Sequence, residues 1–261
     1  MNTVLIVVPT LDSYHLLPRL VDSLKAQTVN CWRVLFVDGK SSLIHRKWLD
    51  DLCIDDPRFQ WISQKDCSTG IYGAMNEGWQ LSTNTNEWVF FWGSDDYAAS
   101  ENSLKIVIED IRKAEISEPI PDLLVFSARY YSLVNGMTVF SRSSRFSTDS
   151  ALRDALFWGF SPPHQATLFG PSVKNKISSF NSSFRIAADL DYFLRLSLVP
   201  KVRITRSLGD IVYMGSSGIS GQYSRLRFLE VMGAYKKSFP VTWIIPFASR
   251  YIRRLKSVIE K

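Results

Sequence analysis

The chain has 261 residues, is 46% hydrophobic and carries a formal net charge of +6. That size and composition support a large buried core, which excludes a disordered protein and leaves one large domain, or a domain with a small appendage. The modest basic excess suits an anionic substrate or an anionic membrane surface, and no nucleic-acid motif accompanies it, so no nucleic acid is expected as partner.

Thr3–Pro9 is apolar and β-branched and reads as a buried strand that starts the fold. It lacks the basic flank and the length of a signal peptide or membrane span. His15–Ala26 carries Leu16, Leu17, Leu20, Val21 and Leu24 at helical spacing. Trp32–Asp38 reads as a second strand, Ser42–Cys53 as a helix, Phe59–Ser63 as a short strand and Ile71–Ser82 as a helix, with Ile71 and Met75 on its core side. Glu87–Trp92 is a further apolar strand, and Ser103–Glu115 a helix. Nearly continuous apolar strands separated by helices imply an α/β fold: a mostly parallel central sheet with helices on both faces.

The second half is less regular. Asp122–Tyr130 and Met137–Arg142 read as strands around a turn at Asn135-Gly136. Asp149–Phe157 and Asp189–Leu198 are predicted helices, and Ala166–Phe169 a strand. No linker or repeat interrupts residues 1–240. Cys31, Cys53 and Cys67 have neither zinc nor disulfide spacing, which points to a reducing compartment. Residues 241–261 differ: Ile244, Phe247, Ala248, Tyr251, Ile252, Leu255, Val258 and Ile259 recur at helical spacing, with Arg250, Arg253, Arg254, Lys256 and Lys261 on other faces. Such a basic amphipathic tail reads either as a terminal helix docked on the core or as a helix that lies on a membrane surface.

Open parallel sheets collect ligands beyond the carboxyl ends of their strands. Those ends read Pro9-Thr10-Leu11-Asp12, Asp38-Gly39-Lys40-Ser41 and Gly93-Ser94-Asp95-Asp96. Adjacent carboxylates suit a hard divalent cation, manganese or magnesium, that bridges to substrate phosphates. The same pair also reads as a turn or cap before the helix at Ser103.

Val7–Asp12 (VVPTLD), Val37–Ser41 (VDGKS), Gly70–Gly78 (GIYGAMNEG), Trp92–Asp96 (WGSDD), His164–Phe169 (HQATLF) and Phe184–Leu196 (FRIAADLDYFLRL) together resemble the bacterial family 2 glycosyltransferases of the GT-A fold. The resemblance runs from about Val4 to Gly221, in the family's order, and is nearest to transferases of O-antigen and exopolysaccharide assembly. It implies inverting transfer from a nucleoside diphosphate-sugar, UDP-linked first, with residues 1–115 as the nucleotide-binding half and 116–240 as the acceptor half. Pro9, Thr10, Asp12 and Asp38 would hold base and ribose, Ser94 would fill a variable position, Asp95 would contact ribose or sugar, and Asp96 would bind the metal. Asp189 would be the base, with Asp191 as runner-up; two residues apart on a helix, they face different ways. His164 would touch diphosphate or acceptor, or be structural. Arg195 would pair with a phosphate or with a neighbouring Asp, and Gly215–Gly221 would form a lid or a plain connector. Two departures stand out: Gly73, where the family often has Asp, and a lengthened Asp66–Gly70 segment.

The acceptor implied is a lipid-linked or growing glycan, which places the enzyme in the cytoplasm, peripheral at the inner face of the plasma membrane through 242–261. A catalytically weak nucleotide-sugar-binding subunit is the alternative, motivated by Gly73. A nucleotidyltransferase is disfavoured because Pro9–Leu17 contains no glycine for a phosphate loop.

Overall fold

The computed structural model describes residues 3–82, 87–117, 119–134, 137–144, 146, 151–215 and 223–259. In chain order the elements are β1 (Val4–Thr10), α1 (Leu17–Lys25), β2 (Trp32–Asp38), α2 (Leu43–Asp55), β3 (Phe59–Ser63), α3 (Gly70–Gln80), β4 (Trp88–Phe91), β5 (Tyr97–Ala98) and α4 (Ser103–Ile116). There follow β6 (Leu123–Val134), β7 (Met137–Ser144), α5 (Leu152–Phe157), a 3-10 turn (His164–Ala166), β8 (Thr167–Phe169), α6 (Val173–Lys176), α7 (Ala188–Leu196), β9 (Ile204–Gly215), α8 (Ser224–Ser238) and α9 (Ile244–Ile259).

The strands form one mixed sheet in the order β3-β2-β1-β4-β8-β6-β9-β5, with β7 paired to β6. The first four run parallel. β8 is antiparallel to both β4 and β6, whereas β6 and β9 pair in parallel. The expected parallel sheet is therefore the N-terminal half, and antiparallel pairs enter with β8.

Strand periodicity sorts the core into two layers. Val4, Ile6 and Val8 of β1 join Leu17, Leu20, Val21 and Leu24 of α1, with Leu49 of α2 and Leu104, Val107 and Ile111 of α4. Leu5 and Val7 face the other way, toward Tyr72, Met75 and Trp79 of α3 and Leu190, Phe193 and Leu194 of α7. β2 and β4 divide alike: Val34, Phe36 and Phe90 on one side, Leu35, Val37, Val89 and Phe91 on the other. Each of these side chains, fully removed from water, contributes about 1.5–3 kcal/mol.

β5, β9 and α8 were not read from the sequence. β9 has polar residues where an alternating strand would be apolar, and its pairing with β6 slips at Val125/Ser127 and again at Ser127/Ala128. Such bulges break the two-residue repeat. In α8 the buried Val231, Ala234 and Tyr235 coexist with exposed Phe228 and Leu229, so no clean apolar stripe marks it. The expected turn at Asn135-Gly136 and most of the Gly215–Gly221 segment lie outside the described residues.

α9 docks on the core. The Phe247 ring centroid lies 5.0 Å from that of Phe228 and 4.9 Å from that of Tyr251, and Trp243, Phe247 and Tyr251 pack against the α3–α7–α8 layer. Its other side leaves Ile245 and Ile252 exposed, and Ile244 is exposed in the first turn. Among the described residues, no helix is long and apolar enough to cross a membrane.

Candidate active site

The carboxyl ends of β1, β2 and β3 lie side by side, with Thr10 opposite Asp38 and Asp38 opposite Ser63. Asp38 is fully buried. Its carboxylate accepts hydrogen bonds from the Ser41 N–H at 3.1 Å, the Ser41 hydroxyl and Arg46 Nε at 3.0 Å. His45 Nε2 lies 3.6 Å from the same carboxylate. Burial lowers the proton affinity of His45, which favours the neutral imidazole. Asp38 thus ties the end of β2 to Ser41 and to Arg46 of α2, with its carboxylate buried beneath the strand ends.

Asp12 sits above it with a left-handed backbone (φ 46°), a conformation that Asp tolerates. Its carboxylate accepts the Ser42 N–H at 2.8 Å at the start of α2. Hydrogen bonds from the Ser42 side chain and then its N–H hold its proton affinity below the usual carboxylate range. Thr10 is buried, and its hydroxyl finds no partner among the described residues.

The end of β4 is tied to β1. The Ser13 hydroxyl donates to Ser94 Oγ at 2.9 Å, and the Ser94 hydroxyl donates to the Pro9 carbonyl at 3.1 Å. Asp96 is 2% exposed and accepts the Gly93 N–H at 2.6 Å. Asp95 is more open, and its carbonyl accepts the Tyr131 hydroxyl at 2.6 Å. A methyl group on Gly215, the last residue of β9, would come within 2.0 Å of Asp95 Oδ2. Only glycine fits there, so the end of β9 is moulded to the acid pair.

Burial raises the proton affinity of Asp95, and burial together with the Asp95 charge raises that of Asp96 well above the ordinary range. Among the described residues neither carboxylate has a Lys or Arg partner, and no cluster of three His, Cys, Asp or Glu side chains forms. Two adjacent carboxylates without a counter-charge fit a hard divalent cation that takes its remaining ligands from water and phosphate.

Asp189 lies in the first turn of α7. The Tyr72 hydroxyl, from α3, donates to the Ile186 carbonyl at 2.9 Å and sits 3.5 Å from Asp189 Oδ1. His164 stacks on Phe91 with ring centroids 5.7 Å apart, and its Nε2 has no partner among the described residues. Burial lowers the His164 proton affinity, opposed by the nearby Asp189 charge. The next residue, Gln165, bonds Asp96 through its side chain and accepts Trp92 Nε1 at its carbonyl at 2.9 Å. Asp189, His164 and the β4 acid pair thereby join one contiguous region.

Asp191 and Arg195 do not belong to it. They form a 2.7 Å ion pair, Asp191 is buried, and Arg195 also donates to the Ser179 carbonyl at 3.0 Å. Of the two partners expected for Arg195, the structure gives the neighbouring Asp. Asn76 has a similar duty, exchanging two hydrogen bonds with the Phe180 backbone at 2.8 and 2.9 Å.

Gly73 and the lengthened loop before α3 explain each other. A methyl group on Gly73 would meet the Ser68 backbone and hydroxyl at 2.8 Å. The loop packs onto the helix through the space that a side chain at 73 would fill. Tyr131 and Ser13 carry no sequence signal for the site, and the contact of Gly215 with Asp95 is not part of the lid or connector expected there. Tyr72 and Gln165 lie inside motifs read from the sequence, which is the signal that would have found them.

The family model described as glycosyl transferase family 2 matches residues 5–131. A "PGL/p-HBAD biosynthesis glycosyltransferase" of Mycobacterium bovis is 30% identical over 230 residues, 86% of this chain and 82% of that protein. Among solved structures, S. aureus TarS residues 1–349 gives a TM-score of 0.66 at 18% identity, covering 97% of this chain and 72% of that one. The mannosyltransferase PcManGT of Pyrobaculum calidifontis, solved with GDP-Man and Mn2+, gives 0.64 at 14% identity, covering 95% and 69%. Sheet order, helices on both faces and a sequence relative matched over most of both chains agree: the chain belongs to the bacterial family 2 glycosyltransferases and has their GT-A fold.

Proposed function

We propose that the protein is an inverting glycosyltransferase that moves a sugar from a nucleoside diphosphate-sugar, UDP-linked first, to a lipid-linked or growing surface glycan. The observation that carries this reading is the Asp95-Asp96 pair at the end of β4, without a counter-charge among the described residues and in one region with Asp189. Thr10, whose buried hydroxyl lacks a partner among the described residues, and Asp12 hold base and ribose, together with Asp38 beneath them. Asp95 contacts ribose or sugar, and Asp96 is the metal ligand. Asp96 would hold a manganese or magnesium ion, which would supply positive charge toward the diphosphate. TarS solved with UDP-GlcNAc (TM-score 0.64, 18% identity, 90% of this chain and 66% of that one) lends support to a UDP-linked donor.

Asp189 takes the proton of the acceptor hydroxyl as its oxygen attacks the anomeric carbon. The carbon–oxygen bond to the diphosphate breaks on the opposite face, and the diphosphate leaves with the electron pair. Tyr72 and the 3-10 turn that carries His164 hold the two acidic centres in relation. The runner-up base, Asp191, is already spent on Arg195. Asp189→Asn should abolish transfer and keep donor binding; an active variant would refute the assignment.

The test of the whole reading is a thermal-shift series with UDP-N-acetylglucosamine, UDP-glucose and GDP-mannose, each with and without manganese. One donor should raise Tm with manganese, by about 2.7 kcal/mol of stabilisation at a hundredfold excess over Kd. No shift from any of them, at millimolar concentration, would count against a donor site. The alternative is a binding subunit without turnover, motivated by Gly73; a donor that raises Tm but yields no nucleoside diphosphate with any acceptor would favour it.

We further propose that α9 brings the enzyme to an anionic bilayer at the cytoplasmic face of the plasma membrane. Its face away from the docked aromatics leaves Ile245 and Ile252 exposed, with Val241 and Ile244 exposed at its start and Arg253 beside Ile252. An apolar stripe flanked by cations suits the interface of anionic lipids.

A further inference from the structure

α7 begins without a cap of its own. Its N-cap residue is Ala187, which has no side chain able to accept a hydrogen bond. The approach to the helix is gripped from elsewhere. Glu230, in the middle of α8, accepts the N–H groups of Arg185 at 2.8 Å, Ile186 at 2.9 Å and Ala187 at 2.9 Å. One carboxylate thus satisfies three consecutive backbone donors, an arrangement that suits an anion and fixes the backbone around it.

The middle residue of the three is also held through its carbonyl. The Ile186 carbonyl accepts the Tyr72 hydroxyl, and that hydroxyl lies 3.5 Å from Asp189 Oδ1. Segment 185–187 is therefore clamped between α8 and α3, two residues before the proposed base. Glu230 is 44 residues from Ile186 in sequence, so this link exists only in the fold.

We propose that Glu230 is a positioning residue for the transfer reaction. It sets where the first turn of α7, and with it the Asp189 carboxylate, stands relative to the acceptor hydroxyl. The inference rests on Asp189 being the base. It does not place Glu230 against substrate. Misplacement of a reacting group by about 1 Å costs on the order of a hundredfold in rate, so loosening this clamp should be felt in turnover before it is felt in donor binding.

The experiment compares wild type, Glu230→Ala, Glu230→Gln, Tyr72→Phe and Asp189→Asn. Hydrogen exchange needs no donor: in Glu230→Ala the amides of 185–187 should exchange at least about tenfold faster, while β1 and β4 stay protected. Turnover is read as nucleoside diphosphate release from whichever of UDP-N-acetylglucosamine, UDP-glucose and GDP-mannose raises Tm with manganese. Glu230→Ala should lower kcat by about tenfold or more and leave the donor KM within about twofold. Glu230→Gln keeps the side chain's volume and one accepting oxygen, and should recover part of that loss. Combined with Tyr72→Phe, the effect should be less than additive, because both act on one segment.

Unchanged exchange at 185–187, or wild-type kcat in Glu230→Ala alongside a dead Asp189→Asn, would overturn the inference. A loss confined to KM would also overturn it. If Glu230→Ala does not fold, Glu230→Gln carries the same decision by its kcat at unchanged KM. Asp189→Asn with wild-type activity would instead bring down the assignment of the base, and is told apart by that variant alone.

Discussion

Asp96 shows how a single side chain can weaken the fold to serve the site. It is 2% exposed beside a second carboxylate, with no Lys or Arg partner among the described residues. Its proton affinity is raised in the folded state, so the stability it contributes is complete below the ordinary Asp range and is lost as pH rises through its folded pKa. At neutral pH the charge is a burden on the metal-free protein. Asp96→Asn, which can still accept the Gly93 N–H, should therefore raise Tm without metal and weaken manganese-dependent donor binding by about tenfold or more; calorimetry with and without manganese checks both halves. Gly215 belongs to the same account, because its missing side chain makes room for Asp95. The acid pair was legible in the sequence as two carboxylates after an apolar run. The contacts of Tyr131 and Gly215 with Asp95 were not, since they bridge long stretches of chain and leave no local pattern.

At the scale of elements, α7 and α9 each have two faces with different work. α7 carries Asp189 at one end and the Asp191–Arg195 pair along its flank. Arg195→Ala would leave a buried carboxylate without its cation. Breaking a buried pair costs about 3–5 kcal/mol, and the lower end applies because Arg195 is partly exposed; urea unfolding should read a loss near 3 kcal/mol. α9 meets the docked reading of its sequence: Trp243, Phe247 and Tyr251 pack on the core, while Ile245 and Ile252 remain exposed. The double variant Ile245→Asp/Ile252→Asp should release the protein from phosphatidylglycerol-containing liposomes and leave Tm nearly unchanged. Retention on the liposomes would sink the membrane proposal. Deleting the whole tail would be a poorer test, because it would uncover the docked aromatic face as well.

At the scale of the molecule, the sheet gathers the site from distant parts of the chain. β1, β2 and β4 supply the Thr10–Asp38 corner and the acid pair. The antiparallel β8, with the 3-10 turn before it, carries His164 and Gln165 to the other side of β4. Donor binding should be coupled to pH through this assembly. Protons compete with metal for Asp95 and Asp96, whose proton affinities are raised, so the Tm gain from donor plus manganese should shrink as pH falls from about 7.5 to about 5. A pH-independent gain would argue that the metal does not use these carboxylates.

The sequence by itself determined the parallel half of the sheet, the helices α1 to α4, and the polar strand ends where chemistry gathers. Apolar period and chain-local turn chemistry specify those features within a few residues of each other. Only the tertiary structure decided that Asp38 is buried against Arg46, that Arg195 belongs to Asp191, and that Gly73 makes room for Ser68. It alone brought Glu230 to the foot of α7. These depend on which backbone donors, carboxylates and voids meet after long loops close. Hydrogen bonding and close packing settle that choice among neighbours in space, and adjacency along the chain carries no record of it.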